Sequence, residues 1–195
     1  MIKMIFIIFT VIFILSGCAV KPTPYDLTMS STLPPITTKK NIPNIKVGDF
    51  KYEPNIRISQ NIISHLGCIP CQSDGSTPGF LFEQSVSQII TAEVKSVLDE
   101  VIIPTSKSSC TLNATIHLAA FDVMDGDTTV DLTYTLSESQ NIKFIKRIRG
   151  HHDASLFEFQ KVNRILSKAS RNSVEQLVTN DEFLKAVNLN CLSKD

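Results

Sequence analysis

The side chains with chemistry to offer are few and scattered along these 195 residues. Cys68-Ile69-Pro70-Cys71 has the spacing of a redox dithiol, in which a helix N-terminus lowers one thiol pKa. Together with His65 and Cys110, the same pair offers the four ligands of a structural zinc. A c-type haem attachment is excluded in its usual form, because Gln72 stands where that motif needs His. His151-His152-Asp153 holds metal-binding and acid–base groups. Adjacent residues on a strand point to opposite faces, however, so the two imidazoles are poorly placed to chelate one ion. Asp122, Asp125, Asp127 and Asp131 gather around Gly126, but their spacing and the missing terminal Glu do not fit an EF-hand loop; a hairpin turn accounts for them. Lys143, Lys146, Arg147 and Arg149 cluster beside Phe144, as contact with an anionic lipid or acidic partner would need. The simpler reading is a charged edge strand that resists unwanted pairing. No Gly-x-Ser-x-Gly elbow, phosphate-binding Gly loop or His-Glu-x-x-His occurs, and only seven glycines are present. No catalytic residue and no metal ligand is therefore assigned, and the expectation is a non-enzyme.

Charge and hydropathy locate the remaining cysteine. Nineteen basic groups balance nineteen acidic ones and Trp is absent, so no surplus charge exists to neutralise nucleic-acid phosphates. Residues 1–17 contain 13 apolar residues, one Lys and no acid. The run Met4 to Leu15 is apolar except for Thr10, too short to cross a hydrocarbon core of ~30 Å but suited to the h-region of a secretory signal. It ends in Leu15-Ser16-Gly17-Cys18, which resembles a bacterial lipobox. Such signals are cut between Gly17 and Cys18, with a diacylglycerol on the Cys18 thiol and an N-acyl chain on its new amine. Several acyl chains, at roughly 0.8 kcal/mol per buried methylene, anchor a protein without a membrane span. Ala19, rather than Asp, favours the outer membrane in enterobacterial-type sorting. Beyond the signal remain 178 residues with 18 basic and 19 acidic groups.

Export recasts the other thiols. Cys68, Cys71, Cys110 and Cys191 are an even number in an oxidising compartment and read as two disulfides with three connectivities. The preferred pairing is Cys68 with Cys71 and Cys110 with Cys191; crossed pairing stays open. Bridges are favoured over both the redox and the zinc readings.

The elements that must position these groups follow from periodicity. Lys21 to Lys40 is rich in Pro, Ser and Thr and reads as an extended tether, so the chain divides into a signal (1–17), a lipidated tether (18–40) and one domain (41–195). Residues 44–52 predict a strand with a bulge at Gly48, and 55–66 are ambiguous between strand and helix. Thr77-Pro78 predicts the start of a helix that carries Phe82, Val86, Ile89, Ile90, Val97, Leu98 and Val101 on one face, with Pro104 stopping it soon after. Residues 111–118 and 130–136 alternate as strands around the Asp125-Gly126-Asp127 turn, and a third strand covers 143–150. A long helix over about 156–178 and a short one from Asn180 complete the chain. The expected fold is α+β, a mainly antiparallel sheet with two long helices on one face, in the order strand, helix, three-strand meander, helix.

This order resembles the small envelope lipoproteins of the YajG type, and more loosely the auxiliary lipoproteins of ABC-type lipid transporters. The resemblance rests on the lipobox, on Leu112 to Ile116 running on to Phe121-Asp122-Val123, on the meander after it, and on a C-terminal helix with Glu182-Phe183-Leu184. Its motifs are patterns of periodicity, and the cysteine set departs from it. It implies a non-catalytic outer-membrane lipoprotein; the acyl anchor, the tether, the expected disulfides and the lack of a catalytic constellation lead to a periplasmic domain that binds another envelope component to assist its assembly or stability. The alternative is a lipid- or small-ligand-handling accessory of a transport system. The implied partners are the membrane, through the anchor, and an envelope protein. No cofactor is expected beyond the acyl groups on Cys18.

Overall fold

The computed structural model of the chain describes residues 22–26, 33–54, 58–66, 79–122, 126–153 and 162–192. Its spine is an unusually long strand, β4 (Ile102–Asp122), and every sheet contact is organised around it. On one side β4 continues into an antiparallel meander with β5 (Thr128–Glu138) and β6 (Asn141–His152). Its other side is shared. β1 (Lys40–Tyr52) pairs in parallel with residues 102–116, and β2 (Ile62–Leu66) pairs in parallel with Ala120–Asp122. A short β3 (Gly79–Leu81) closes antiparallel onto β2. Three helices, α1 (Val86–Val101), α2 (Val162–Val178) and α3 (Asp181–Asn190), complete the described elements. The architecture is α+β with a mostly antiparallel sheet, as the sequence predicts.

The two-residue period assigns the sheet faces. Leu112, Ala114 and Ile116, with Leu132, Tyr134 and Leu136 and with Phe144 and Ile148, are buried under the helices. Each fully buried large aliphatic or aromatic side chain contributes about 1.5–3 kcal/mol. Tyr134 anchors α2 through a 2.7 Å hydrogen bond between its hydroxyl and that of Ser173, and burial pushes its phenol pKa up. Phe144 meets Phe183 of α3 edge to face at 5.4 Å. Gly150 lets α2 lie directly on β6, since a Cβ there would come within 2.2 Å of the Ala169 carbonyl oxygen. The opposite face carries Asn113, Thr115, His117, Thr133, Thr135 and Arg147, and no described helix covers it.

Four expectations need correcting or sharpening. α1 begins at Val86, not near Thr77-Pro78, which lie outside the described residues. Gly79–Leu81 is drawn into the sheet by β2, and Ser85 with Gln88 forms a reciprocal capping box that starts the helix. β4 begins nine residues earlier than its alternation suggests, because β1 pairs with it from Lys40↔Ile102 onward. The ambiguous 55–66 stretch resolves into β2 at its end, while residues 55–57 lie outside the described set. The register shift beside Gly48 is the expected bulge, with Asn113 accepting the Asp49 N–H at 2.9 Å.

The largest correction concerns the tether. Where residues 18–40 are described, they are part of the domain. Thr23 pairs with Phe82, donating to the Leu81 carbonyl at 2.9 Å and accepting from the Glu83 N–H at 3.1 Å. Tyr25 is only 3% exposed, packs its ring on Phe82 at 5.6 Å and donates its hydroxyl to buried Glu93 at 2.9 Å. Leu33 and Ile36 are likewise buried, and Arg171 donates to the Pro34 carbonyl at 2.8 Å. The Pro, Ser and Thr content conceals three apolar anchors, Tyr25, Leu33 and Ile36, each buried in the domain.

Candidate functional site

Cys110 and Cys191 form a disulfide that fastens the end of α3 to β4 across a sequence separation of 81. The Ser109 N–H donates to the Cys191 carbonyl at 3.1 Å, and Ser108 bridges to Leu192, so the staple is continued by backbone. This bond removes crossed pairing of Cys68 and Cys71 with Cys110 and Cys191, and it withdraws Cys110 from a zinc set. Gly17, Cys18, Cys68 and Cys71 lie outside the described residues, as do the lipidation, the cleavage and the Cys68–Cys71 pairing assigned to them.

The basic cluster on β6 is distributed over both faces of an edge strand. Lys146 turns toward α3 and pairs with Glu182 at 3.2 Å, while Lys143 pairs with Glu138 at 3.2 Å. Arg147 and Arg149 project from the open face and converge on Asp131 of β5. Arg147 donates from Nε and Nη2 to the two carboxylate oxygens at 2.8 and 2.9 Å, and Arg149 adds a third bond at 3.3 Å. The Asp131 side chain is 4% exposed whereas the Arg147 and Arg149 side chains are 56% and 66% exposed. Hydrogen bonds from Arg147 hold the Asp131 carboxyl below its ordinary pKa, against an opposing push from burial and with further help from Arg149. The result is a fixed carboxylate with two exposed cations splayed above it.

At the end of the same face, two sequence features judged separately come together. His151 and His152 point to opposite sides, as strand geometry requires. His152 Nε2 lies 3.3 Å from Lys168 Nζ on α2, while His151 Nδ1 lies 3.3 Å from the Thr129 hydroxyl on the open face. The turn before β5 then delivers Asp127. Gly126 takes φ of 82°, its N–H reaches the Asp122 carbonyl at 2.8 Å, and the Asp122 N–H reaches the Asp127 carbonyl at 2.7 Å. Asp127 Oδ2 thereby lies 3.7 Å from His151 Nε2, and Asp153 Oδ1 lies 2.5 Å from it. Sequence reading missed this trio because Asp127 stands 24 and 26 positions before His151 and Asp153; the Thr129↔His151 register joins them.

Two concavities flank the helices. One, of about 350 Å³, lies between residues 33–37 and α2 and is lined by His152, Lys168, Arg171, Asn172 and Glu175 among others. Arg171 in its lining pairs with Glu100 of α1 at 2.9 Å. Burial alone would raise the Glu100 carboxyl, but hydrogen bonds from Arg171 and the Ile36 N–H, with the charges of Arg171 and Lys39, bring it below its ordinary value. The second, of about 550 Å³, opens between β1 and α1 and is walled by Phe50, Lys51, Thr91, Ala92 and Lys95.

No protein-family model matches the chain, and no curated protein matches it. Solved structures do. A Xanthomonas campestris protein of the DUF330 family model is similar over 82% of this chain and 90% of its own, at 15% identity and a TM-score of 0.51. A crystal structure of an uncharacterized protein covers 71% and is covered over 98%, at 12% identity and a TM-score of 0.41. A dodecamer of PelC from Paraburkholderia phytofirmans covers 70% and is covered over 93%, at 12% identity and a TM-score of 0.31. The first likeness concerns the fold alone, and the other two carry no argument about this chain.

Proposed function

We propose that the chain is a non-catalytic lipoprotein, anchored through Cys18 on the periplasmic face of the outer membrane, that binds another protein of the cell envelope and assists its assembly or stability. The observation that carries the binding role is the sheet face left open by the described helices, three strands wide, with Arg147 and Arg149 held on Asp131. Fixed side chains lose little further entropy on association, which is what a protein-recognition surface needs. The lipobox Leu15-Ser16-Gly17-Cys18 supports the anchor, and the resemblance to YajG-type lipoproteins points the same way. A photo-crosslinking residue at Thr133 or Thr135, in the centre of the open face, is expected to capture one specific envelope protein from intact cells. The same group at Lys185, on the solvent side of α3, is expected to capture none. Repeated recovery of nothing from the open face would overturn the reading.

A second reading, a lipid- or small-ligand-handling accessory, is favoured by the groove between β1 and α1. Its size falls in the range of ligand sites, and Lys51 and Lys95 flank Phe50 as an anionic amphiphile would need. Native mass spectrometry after purification from membranes tests it; retained phospholipid supports this reading, and its consistent absence counts against it.

A further inference from the structure

We propose that Asp127, His151 and Asp153 form a binding site for a divalent transition-metal ion of the zinc class. One ligand atom from each of the three lies within 4.8 Å of the other two. A tetrahedral zinc with bonds of 2.0–2.2 Å sets its donors roughly 3.3–3.5 Å apart. The observed separations from His151 Nε2, 2.5 Å to Asp153 and 3.7 Å to Asp127, bracket that spacing, so side-chain torsions alone can open one and close the other.

Two of the three donors, His151 and Asp127, are positioned by the fold, and Asp153 follows directly on the end of β6. His151 is held in the β5–β6 ladder opposite Thr129, and its backbone N–H donates to Asn172 Oδ1 at 3.1 Å. Asp127 is carried by the hydrogen-bonded turn at Gly126. The contact of His151 Nδ1 with the Thr129 hydroxyl occupies that ring nitrogen and leaves Nε2 turned toward the carboxylates. Metal-bound imidazoles characteristically engage their second nitrogen in this way, which fixes tautomer and ring plane.

Charge and ligand type select the ion. Two carboxylates and an imidazole provide two negative charges for a dication. The guanidinium nearest in sequence on that face, Arg149, is engaged by Asp131, and Lys168 lies on the other side with His152. An imidazole among the donors favours zinc, nickel or copper over magnesium and calcium, which take oxygen ligands throughout. Three protein ligands leave one position for water or for a side chain brought by a partner.

The test uses the full chain purified oxidised in detergent, stripped with a chelator and titrated with zinc by calorimetry, with the Cys68→Ser/Cys71→Ser variant run in parallel. One zinc per chain is expected, undisplaced by millimolar calcium or magnesium, and unchanged in the cysteine variant. His151→Gln, Asp127→Asn and Asp153→Asn should each weaken binding by about tenfold or more, the size seen when metal-site contacts are lost. His152→Gln, one residue on but facing α2, should leave affinity within roughly twofold. Circular dichroism confirms that each variant is folded, as expected for side chains outside the core. Absence of saturable binding, survival of binding in His151→Gln, or its loss in the cysteine variant would each overturn the proposal.

Discussion

At Asp131 a carboxylate is nearly removed from water and still favours its charged form, because two guanidinium groups are fixed upon it. Its folded pKa lies below the unfolded one, so its contribution to stability is complete above the ordinary carboxylate range. That contribution is lost as pH falls through the depressed value. Glu100 has the same sign through Arg171. The denaturant midpoint should therefore be level from neutrality down to about pH 5 and fall below about pH 4, and Asp131→Asn should flatten that fall. At neutral pH the same variant should cost about 1.5 kcal/mol, the worth of hydrogen bonds to a charged group. An unaltered acid limb in the variant would show that Asp131 is not the group responsible. Cys110 and Cys191 make the second residue-scale case. Their bond closes a long loop, and Cys110→Ala/Cys191→Ala should lower unfolding free energy by roughly 4 kcal/mol in denaturant titration. That pairing was among those read from the sequence, since parity and export restrict the choices. The Asp127–His151–Asp153 trio was not. Strand alternation correctly separates His151 from His152, but it is silent about which residue of the neighbouring strand lies opposite, and here that register makes the site.

Among the elements, the meander and the helix faces were legible because their periods are clean. Leu112 to Leu118 and Val130 to Leu136 alternate, and the stripe Leu166, Ala169, Ser173, Leu177 is buried throughout. What failed were elements held by partners distant in sequence. β3 is three residues long and exists through β2, the first half of β4 exists through β1, and the described residues before β1 (22–26 and 33–39), a strap along the helices, are held by α1 and α2. The strap also explains two buried polar groups that otherwise look misplaced in the helices. Glu93, on the buried face of α1, accepts from the Tyr25 hydroxyl at 2.9 Å and from the Ser167 hydroxyl at 2.7 Å, and burial together with the Glu93 charge drives the Tyr25 phenol pKa well up. Arg171, 6% exposed, joins α2 to Glu100 on α1 and to Pro34 in the strap. Arg171→Met keeps length and apolar bulk but leaves Glu100 without its ion-pair partner. It should cost about 2 kcal/mol, less than breaking a fully buried pair, because the Glu100 side chain stays 24% exposed. It should also speed tryptic cleavage at Lys39 and Lys40, because the Pro34 carbonyl loses the bond that ties the strap down. Equal cleavage in both proteins would mean that Leu33 and Ile36 hold the strap without help.

For the whole molecule, docking of the strap changes how far the domain can stand from its proposed anchor. A free tether to Lys40 would allow ~70 Å of reach, whereas a chain fixed at Thr23 leaves five residues after Cys18, or at most about 18 Å when extended. On that proposed anchor the domain would sit against the bilayer with a defined end downward. Thr23 enters beside Phe82 and Glu83, next to the β2–β3 pair, and β2 joins β4 at Ala120–Asp122. Phe121 there lies opposite Thr128, which lies opposite His152, so the Asp127–His151–Asp153 cluster occupies the end of the sheet at which β2 and β4 finish. The hairpin tip at Ser139 and Gln140 lies at the other end of β5, some ten residues and roughly 30 Å away at the strand rise. A fluorophore carried by an unnatural amino acid at Glu83 should be quenched by spin-labelled headgroups in vesicles holding the lipidated chain, and one at Gln140 should not. Inserting a long Gly/Ser segment between Lys21 and Pro22 should abolish the difference while leaving the thermal midpoint unchanged, because the insertion frees the domain without touching a packed residue. Equal quenching at both positions before insertion would mean that the domain ranges freely, and that contacts around Thr23 do not hold when the chain is anchored.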